Sequence, residues 1–554
     1  MGYTLREKFV ALNESEIRTD VKIKTNVKPF ENNNNKPMMI NLGPVLLDSV
    51  PPIPDISDPV NAAIGVSKRI AYKTPPVNKI KLRKLRRFVY RWCKKNLVPL
   101  SPDIDVSFHT WIENTNYSRR RKDELCRTWE KIKDLDPMEI LKNKKFTSLK
   151  CFVKHEWYVS FKHARGIFSR SDEFKCLVGP IFKQIEKQVF SLPNFIKKIP
   201  VSDRPRIMKE TFSGYKFFAA ADFTSFEAHF TKDVYEAIEF TMYDYMTQFL
   251  ACKTWFQYML RNVIAGLNIC LFKYFTVQIP ATRQSGEMCT SLGNGFSNLM
   301  IINFVSYMKN KYIPDCFVEG DDSLVAYKHE THAPNVNDYK DLGFTIKLET
   351  SHYYNKMSFC GNIFDVDDLV VVTDPVYVVS TFGWGDMKYH GCGSKMKKTL
   401  LRAKSLSLKF QYAGCPIITA LADYGLRMTK TVNIRQSYID TLDVYHKDQL
   451  LNALKIDPCQ KIEIPFKTRL LVEEIYGISV TAQLEIEKCL ESKNDFEPIY
   501  CNLLVDRAHP DFLEMFSTYV MPDKKINIRP FGKTNLLYKR VLRTLFGHVP
   551  WWSG

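Results

Sequence analysis

Acidic side chains recur in this chain at places where a local fold would hold them rigid. Residues 217–222, FFAAAD, form an apolar run closed by Asp222, and a second acid, Glu227, follows five positions on. A short apolar run of this kind predicts a buried strand, and a strand end is a stiff place from which to present a ligand. Residues 317–327, FVEGDDSLVAY, read as two short strands around a turn, with Gly320, Asp321 and Asp322 at the tip of a hairpin. Brought together, Asp222 and Asp321 could bind two divalent cations about 3.5–4 Å apart, the arrangement that activates an attacking hydroxyl and steadies a departing phosphate. Asp322 takes a secondary place beside them. Mg²⁺ suits such a set, with Mn²⁺ as a substitute, because it prefers carboxylate, water and phosphate oxygens and needs no His or Cys. Each string alone is weak, since Gly-Asp-Asp also fits an ordinary turn and a strand-end acid is usually just solvated.

Between the two acidic strings lies SGEMCTSLGNGFSNLMIINF. Ser285 and Gly286 predict a flexible turn into a helix, on which Thr290 and Asn294 fall four apart and share one face. Leu292, Phe296, Leu299 and Ile302 make its buried stripe. The polar pair serves either a helix–helix hydrogen bond or a nucleotide.

The elements that must position these groups sit in a chain of 554 residues, 45% hydrophobic and 13% aromatic, long enough for two to four domains or for one large enzyme of interleaved subdomains. Its 79 Lys and Arg against 60 Asp and Glu leave a net charge of +19, which points to a polyanionic partner, nucleic acid before an anionic membrane surface. The 14 cysteines are scattered, without metal-ligand pairs, and read as reduced thiols of a cytosolic protein. The N-terminal MGYTLREKFV has no apolar signal core, and the best apolar stretch, 246–272, is broken by Lys253 and Arg261, so no transmembrane segment is expected. Any membrane attachment is peripheral or through a partner.

Residues 1–75, with the Asn32–Asn35 run and Pro51, Pro52, Pro54, Pro59, Pro75 and Pro76, read as a loosely organised extension or linker. KIKLRKLRRFVYRWCKK, 79–95, places Leu82, Leu85, Val89 and Trp92 at helical spacing among nine basic residues. It is a core-docked helix with a solvated basic face, an RNA-binding helix, or a membrane-surface helix. No internal repeat and no GxxxxGK[ST] nucleotide loop is present.

The motifs, in this order, resemble those of viral RNA-dependent RNA polymerases of the positive-strand type, closest to the tombusvirus and carmovirus group. Asp222 and Glu227 match motif A, Ser285, Gly286, Thr290 and Asn294 match motif B, and Gly320–Asp322 matches motif C. LGFTIKLE resembles motif D, which implies Lys347 as the proton donor to pyrophosphate, with Lys356 as the alternative. SFCGNIF resembles motif E and implies primer or product contacts for Phe359 and Cys360. FVKHE and ARGIFSR resemble motif F, which implies that Lys154, Arg165 and Arg170 meet incoming triphosphates. The specific motifs span about 150–365.

The resemblance implies an α+β right-hand polymerase with an antiparallel palm sheet. Fingers and palm would interleave over 76–365, and a mainly helical thumb would occupy 366–554. It implies copying of single-stranded RNA from nucleoside triphosphates with two Mg²⁺ ions. It also implies a site of action in host cytoplasm, at membrane-associated replication sites, with a peripheral membrane or replicase-protein partner. Basic tracts at Lys395, Lys397, Lys398, Arg402 and Lys404, and from Lys533 to Arg543, would follow the RNA backbone or remain solvated helix faces.

Two departures matter. The second acid of motif A is Asp in the nearest relatives, where it reads the ribose 2′-hydroxyl with the motif B Asn; here it is Glu227. Motif F carries Phe168 where a polar residue is common. Rivals from other classes are a reverse transcriptase, which would favour an aromatic gate beside Asp222 and Tyr or Phe before the Asp pair, and a non-enzymatic RNA-binding protein, which would not explain acids embedded in apolar strands.

Overall fold

The structure, a computed structural model, describes residues 2–5, 14–25 and 37–520. Its central sheet has four antiparallel strands in the order Ile346–Ser351, Phe217–Phe223, Asp322–Tyr327, Asp315–Glu319. Side chains alternate across a strand, so Phe217, Ala219, Ala221 and Phe223 face one side and Phe218, Ala220 and Asp222 the other. The first side packs on Leu292, Phe296, Leu299 and other buried residues of the helix Thr290–Asn310. The second packs on Phe212, Phe317, Met357 and Phe359. Because both faces are covered, the strand reads as an unbroken apolar run up to its acid.

A second sheet of five strands runs in the order Lys22–Thr25, Phe275–Pro280, Leu267–Leu271, Leu149–Val153, Gly166–Arg170. Only the pairing of Leu149–Val153 with Leu267–Leu271 is parallel. The fold is therefore mixed α+β with antiparallel pairing dominant. After 366 the chain is mostly helical to 520. The helices Ser394–Gln411, Ile418–Met428 and Val480–Ser492 share a core that includes Leu401, Leu421 and Ile486.

The described residues among the first 75 differ from the loose extension expected of them. Their strand Lys22–Thr25 completes an edge of the five-stranded sheet, and Met39–Asn41 pairs with Trp384–Asp386. Tyr3, Leu5 and Met38 are buried in one cluster with Trp384, Met515 and Phe516. Helix Pro59–Lys68 is capped by the Asp58 side chain, which accepts from the Val60 N–H, and starts with proline, a strong local start signal. The proline-rich spacing suggested a linker; the apolar residues between the prolines anchor it.

Helix Lys79–Asn96 buries Leu82, Leu85, Phe88, Val89 and Cys93 and turns most of its basic residues outward. In the helical C-terminal part, Lys404 is not free to follow RNA as expected. Its Nζ donates to the carbonyls of Thr381 at 2.9 Å and Phe382 at 3.2 Å and also to Trp384, so it closes the C-terminal end of helix Pro375–Phe382. Burial lowers its ammonium to about 8. Arg402 donates to the Thr429 carbonyl at 3.2 Å, while Lys395 stays exposed and Lys398 lies over the Phe496 ring. The Lys533–Arg543 tract and the Asn32–Asn35 run lie outside the described residues. No helix among the described residues is long and apolar enough to cross a membrane.

Candidate active site

Register in the central sheet sets the acids side by side. Lys347 pairs with Asp222, and Asp322 pairs with Glu319. One step beyond the Ala221–Ser323 pair, Asp222 faces Asp322. Lys347, Asp222, Asp322 and Glu319 thus form one row across four strands, where opposed Cβ atoms lie about 4.5–5.5 Å apart. Asp321 stands in the hairpin turn next to the row, which Gly320 enters at a φ of 60°, a left-handed conformation that favours glycine.

Asp222 and Asp322 are exposed and Asp321 is half-buried. Desolvation in the cleft, then the charges of Asp321 and Asp222, push Asp322 up to about 6. Burial also raises Asp321, with Glu227 adding to the rise and Arg69 and Arg165 opposing it. Arg69 is engaged with Glu227, and Lys154 and Arg165 with Glu156, while Lys197 reaches Glu319 at the end of the row at 3.8 Å. Asp222, Asp321 and Asp322 form no ion pair among the described residues, although Lys347 stands opposite Asp222, and acids gathered in this way are where a bound cation is expected.

Among the described residues, no three His, Cys, Asp or Glu side chains converge tightly enough to hold a metal by themselves. The donor set still suits Mg²⁺, which is usually held by one or two carboxylates together with water and substrate phosphates rather than by a closed protein cage.

The helix Thr290–Asn310 braces this site from behind. The Thr290 hydroxyl donates to the Gln284 carbonyl at 3.1 Å and accepts from the Gly286 N–H at 3.3 Å, which fixes the preceding turn. The Ser285 carbonyl accepts from the Phe168 N–H at 2.8 Å, tying that turn to the strand Gly166–Arg170. Gly286 has a φ of 126°, and a Cβ there would meet the Phe168 carbonyl oxygen at 2.8 Å, so only glycine fits. Asn294 keeps a buried Oδ1 with no hydrogen-bond partner, an acceptor still waiting for a donor. One turn further, Asn298, not singled out from the sequence, shares its Nδ2 among the carbonyls of Gly320, Asp321 and Asp322 at 3.2, 3.0 and 3.1 Å. The signal was present, because Asn298 extends the Thr290–Asn294 series by another four residues.

The basic residues separate into two kinds. Lys154 and Arg165 meet on Glu156, at 2.8 Å for Lys154 and at 2.5 and 2.6 Å for the two bonds from Arg165, and both remain substantially exposed. Burial would raise Glu156, but its two partners outweigh it and hold the carboxyl down to about 2. Lys162, also missed, is exposed on the same loop, where desolvation and then Arg165 and Arg69 lower its ammonium while Glu156 and Asp222 oppose them.

Arg170 corrects the expectation of a triphosphate contact. It is 3% exposed, paired with Glu287, and donates to the carbonyls of Thr147 and Val263 and to Asn268 Oδ1. It lies two residues from buried Phe168 and so points to the same inner face of its strand.

Motif E is likewise split. Phe359 is 1% exposed and packs in the core beneath the sheet, so its ring is not available to a primer, whereas Cys360 lies beside Asp322 and opposes the rise of that acid. Lys347 is exposed in the acid row, while Lys356 is paired with Glu474 and lies over the Tyr353 ring. Glu227 is buried and held by Arg69 in an ion pair that the sequence did not foreshadow.

No curated protein matches the chain. Residues 70–389, more than half of its length, match the family model for viral RNA-dependent RNA polymerase. That span holds both acidic strings, the bracing helix and the Glu156 cluster. The chain belongs to the viral RNA-dependent RNA polymerase family, and the protein is an RNA-directed RNA polymerase that copies an RNA template from nucleotide substrates.

Proposed function

We propose that synthesis takes place at the end of the central sheet, by two-metal nucleotidyl transfer onto an RNA 3′ end. The observation that carries this reading is the gathering of Asp222, Asp321 and Asp322, the first two of which push up the third, and which form no ion pair among the described residues. Asp222 and Asp321, with Asp322 beside them, would hold Mg²⁺, or Mn²⁺ in its place, together with the nucleotide phosphates. When bound, the ions would activate the attacking 3′-hydroxyl and stabilise the leaving pyrophosphate.

The side chains supply the rest. Asn298 keeps the hairpin turn rigid, so the acids need little reorganisation at the moment of reaction. Lys347, opposite Asp222 and exposed, is placed to donate a proton to the departing pyrophosphate. Lys154 and Arg165, with Lys162 on the same loop, draw in the triphosphate. Glu227 and Asn294 read the ribose, and Ser285, Gly286 and Thr290 shape the turn beneath the base-paired nucleotide. Cys360 borders the primer end.

In this reading the four-stranded sheet is a palm, the five-stranded sheet belongs to fingers that interleave with it up to about 365, and the helices after 366 form a thumb. The motif strings favour a positive-strand virus of the tombusvirus and carmovirus type. The enzyme would act in host cytoplasm at membrane-associated replication sites, reached through a peripheral contact or a replicase partner.

The test is labelled-nucleotide incorporation on single-stranded RNA with Mg²⁺, with NTPs or dNTPs, for wild type and Asp321→Asn. Template-length RNA that disappears in the variant supports the site. Equal activity in both proteins removes it.

A further inference from the structure

Helix Pro59–Lys68 lies before the span that matches the family model, yet its C-terminal end is fastened to the loop that carries Glu227. Ser225, in a left-handed conformation at a φ of 53°, donates from its hydroxyl to the Lys68 carbonyl at 2.8 Å. The next residue, Arg69, grips Glu227 with two parallel bonds, Nε to Oε1 and Nη2 to Oε2, the latter at 3.1 Å. One turn earlier the helix touches the basic loop so closely that a Cβ at Gly65 would lie 2.4 Å from the Ala164 carbonyl oxygen. Arg69, Glu227 and Arg165 line one small cavity. The Glu227 side chain is 8% exposed and that of Arg69 23%, so the pair is largely shielded from solvent.

We infer that Arg69 is a positioning residue for sugar selection, holding the Glu227 carboxylate where it can accept from the ribose 2′-hydroxyl. The inference rests on the proposed sugar-reading role of Glu227.

Two physical points support it. A carboxylate gripped by a guanidinium fork has both oxygens fixed in orientation, and its remaining lone pairs stay available to a third donor. An unheld glutamate would turn through several rotamers, and ordering it would oppose each nucleotide-binding event. The arginine also accounts for the residue type. An aspartate at 227 would end about 1.5 Å short, out of reach of a partner whose backbone is fixed by the Ser225–Lys68 bond. The longer acid and the arginine are therefore one unit of matched length.

The test compares kcat/KM for NTP and dNTP incorporation in wild type, Arg69→Lys, Arg69→Ala, Glu227→Asp, Glu227→Gln and the double variant Arg69→Lys/Glu227→Asp, with melting temperatures for each. Lysine keeps the charge and loses the fork. The expected result is a fall of about 10-fold in the NTP-over-dNTP ratio for Arg69→Lys and for Glu227→Asp, carried mainly by the NTP term, with the double variant no worse than the poorer single one, as residues acting as a unit behave.

A wild-type ratio in both Arg69 variants, alongside a reduced ratio in Glu227→Gln, overturns the inference and leaves the role of Glu227 standing. An unchanged ratio in Glu227→Gln overturns that role and the inference with it. Equal losses for NTPs and dNTPs with a lowered melting temperature make Arg69 only a strut. Should Arg69→Ala fail to fold, Arg69→Lys decides the question alone.

Discussion

Two sets of acids in this protein live under opposite rules. Glu239, deep behind the central sheet, is 1% exposed and paired with Arg283, which is wholly buried. Ser297 and Tyr243 also donate to it, and the arginine lies 4.4 Å from the centre of the Phe230 ring. Asp222, Asp321 and Asp322, at the open end of the same sheet, form no ion pair among the described residues and crowd one another, with Lys347 opposite Asp222. In the Glu239–Arg283 pair the charges compensate each other internally, because an unpaired buried ion is costly, although Arg283 Nε is left without a hydrogen-bond partner. Where charge awaits a ligand, the compensation is left out. Glu239 and the three acids at the sheet end thus differ in their partners as well as in their burial.

The contrast can be broken by substitution. The largest effect belongs to Asp321→Asn, which should reduce RNA synthesis by about 10³-fold or more while the melting temperature holds or rises, since a repulsion is removed. A large loss of stability would place Asp321 with the architectural acids. Glu239→Gln should do the reverse: unfolding in denaturant should show a loss of about 3–5 kcal/mol from the stranded guanidinium, with the activity of the folded fraction retained. Lys347→Ala should slow single-turnover incorporation by about 10²-fold, whereas Lys356→Ala, which removes only a surface pair with Glu474, should change it little. If the two lysines exchange effects, the acid row is not where pyrophosphate departs.

The smallest effect is one of pH. The Glu156 carboxyl is depressed in the fold to about 2, so its pairing with Arg165 and Lys154 contributes stability above the usual glutamate range, and that contribution is lost as pH falls toward 2. The melting-temperature gap between wild type and Glu156→Gln should accordingly be full at neutral pH and narrow below about 4.5. A gap independent of pH would mean that the cluster does not hold the loop.

What the sequence made legible is what short-range pattern encodes. The strand closed by Asp222, the hairpin around Asp321 and the helix that begins at Thr290 are all present, because each is written in adjacent residues. Partners distant in the chain were not legible. Arg69 lies 158 residues from Glu227, and Arg170 lies 117 from Glu287, so nothing local marks either pair. Strand alternation could have warned that Arg170 shares a face with Phe168. Phe359 was carried by resemblance alone, and the packing of Phe212, Phe317 and Met357 determines where its ring goes.

The pairing of Met39–Asn41 with Trp384–Asp386 bears on the protein's own manufacture. At about 5–20 residues per second of translation, the first of these strands leaves the ribosome tens of seconds before the second exists. Throughout that interval an apolar segment of the nascent chain has no native mate, and shielding by a chaperone or by transient contacts must bridge the wait. This pairing can therefore close only after the later half of the chain has been synthesised.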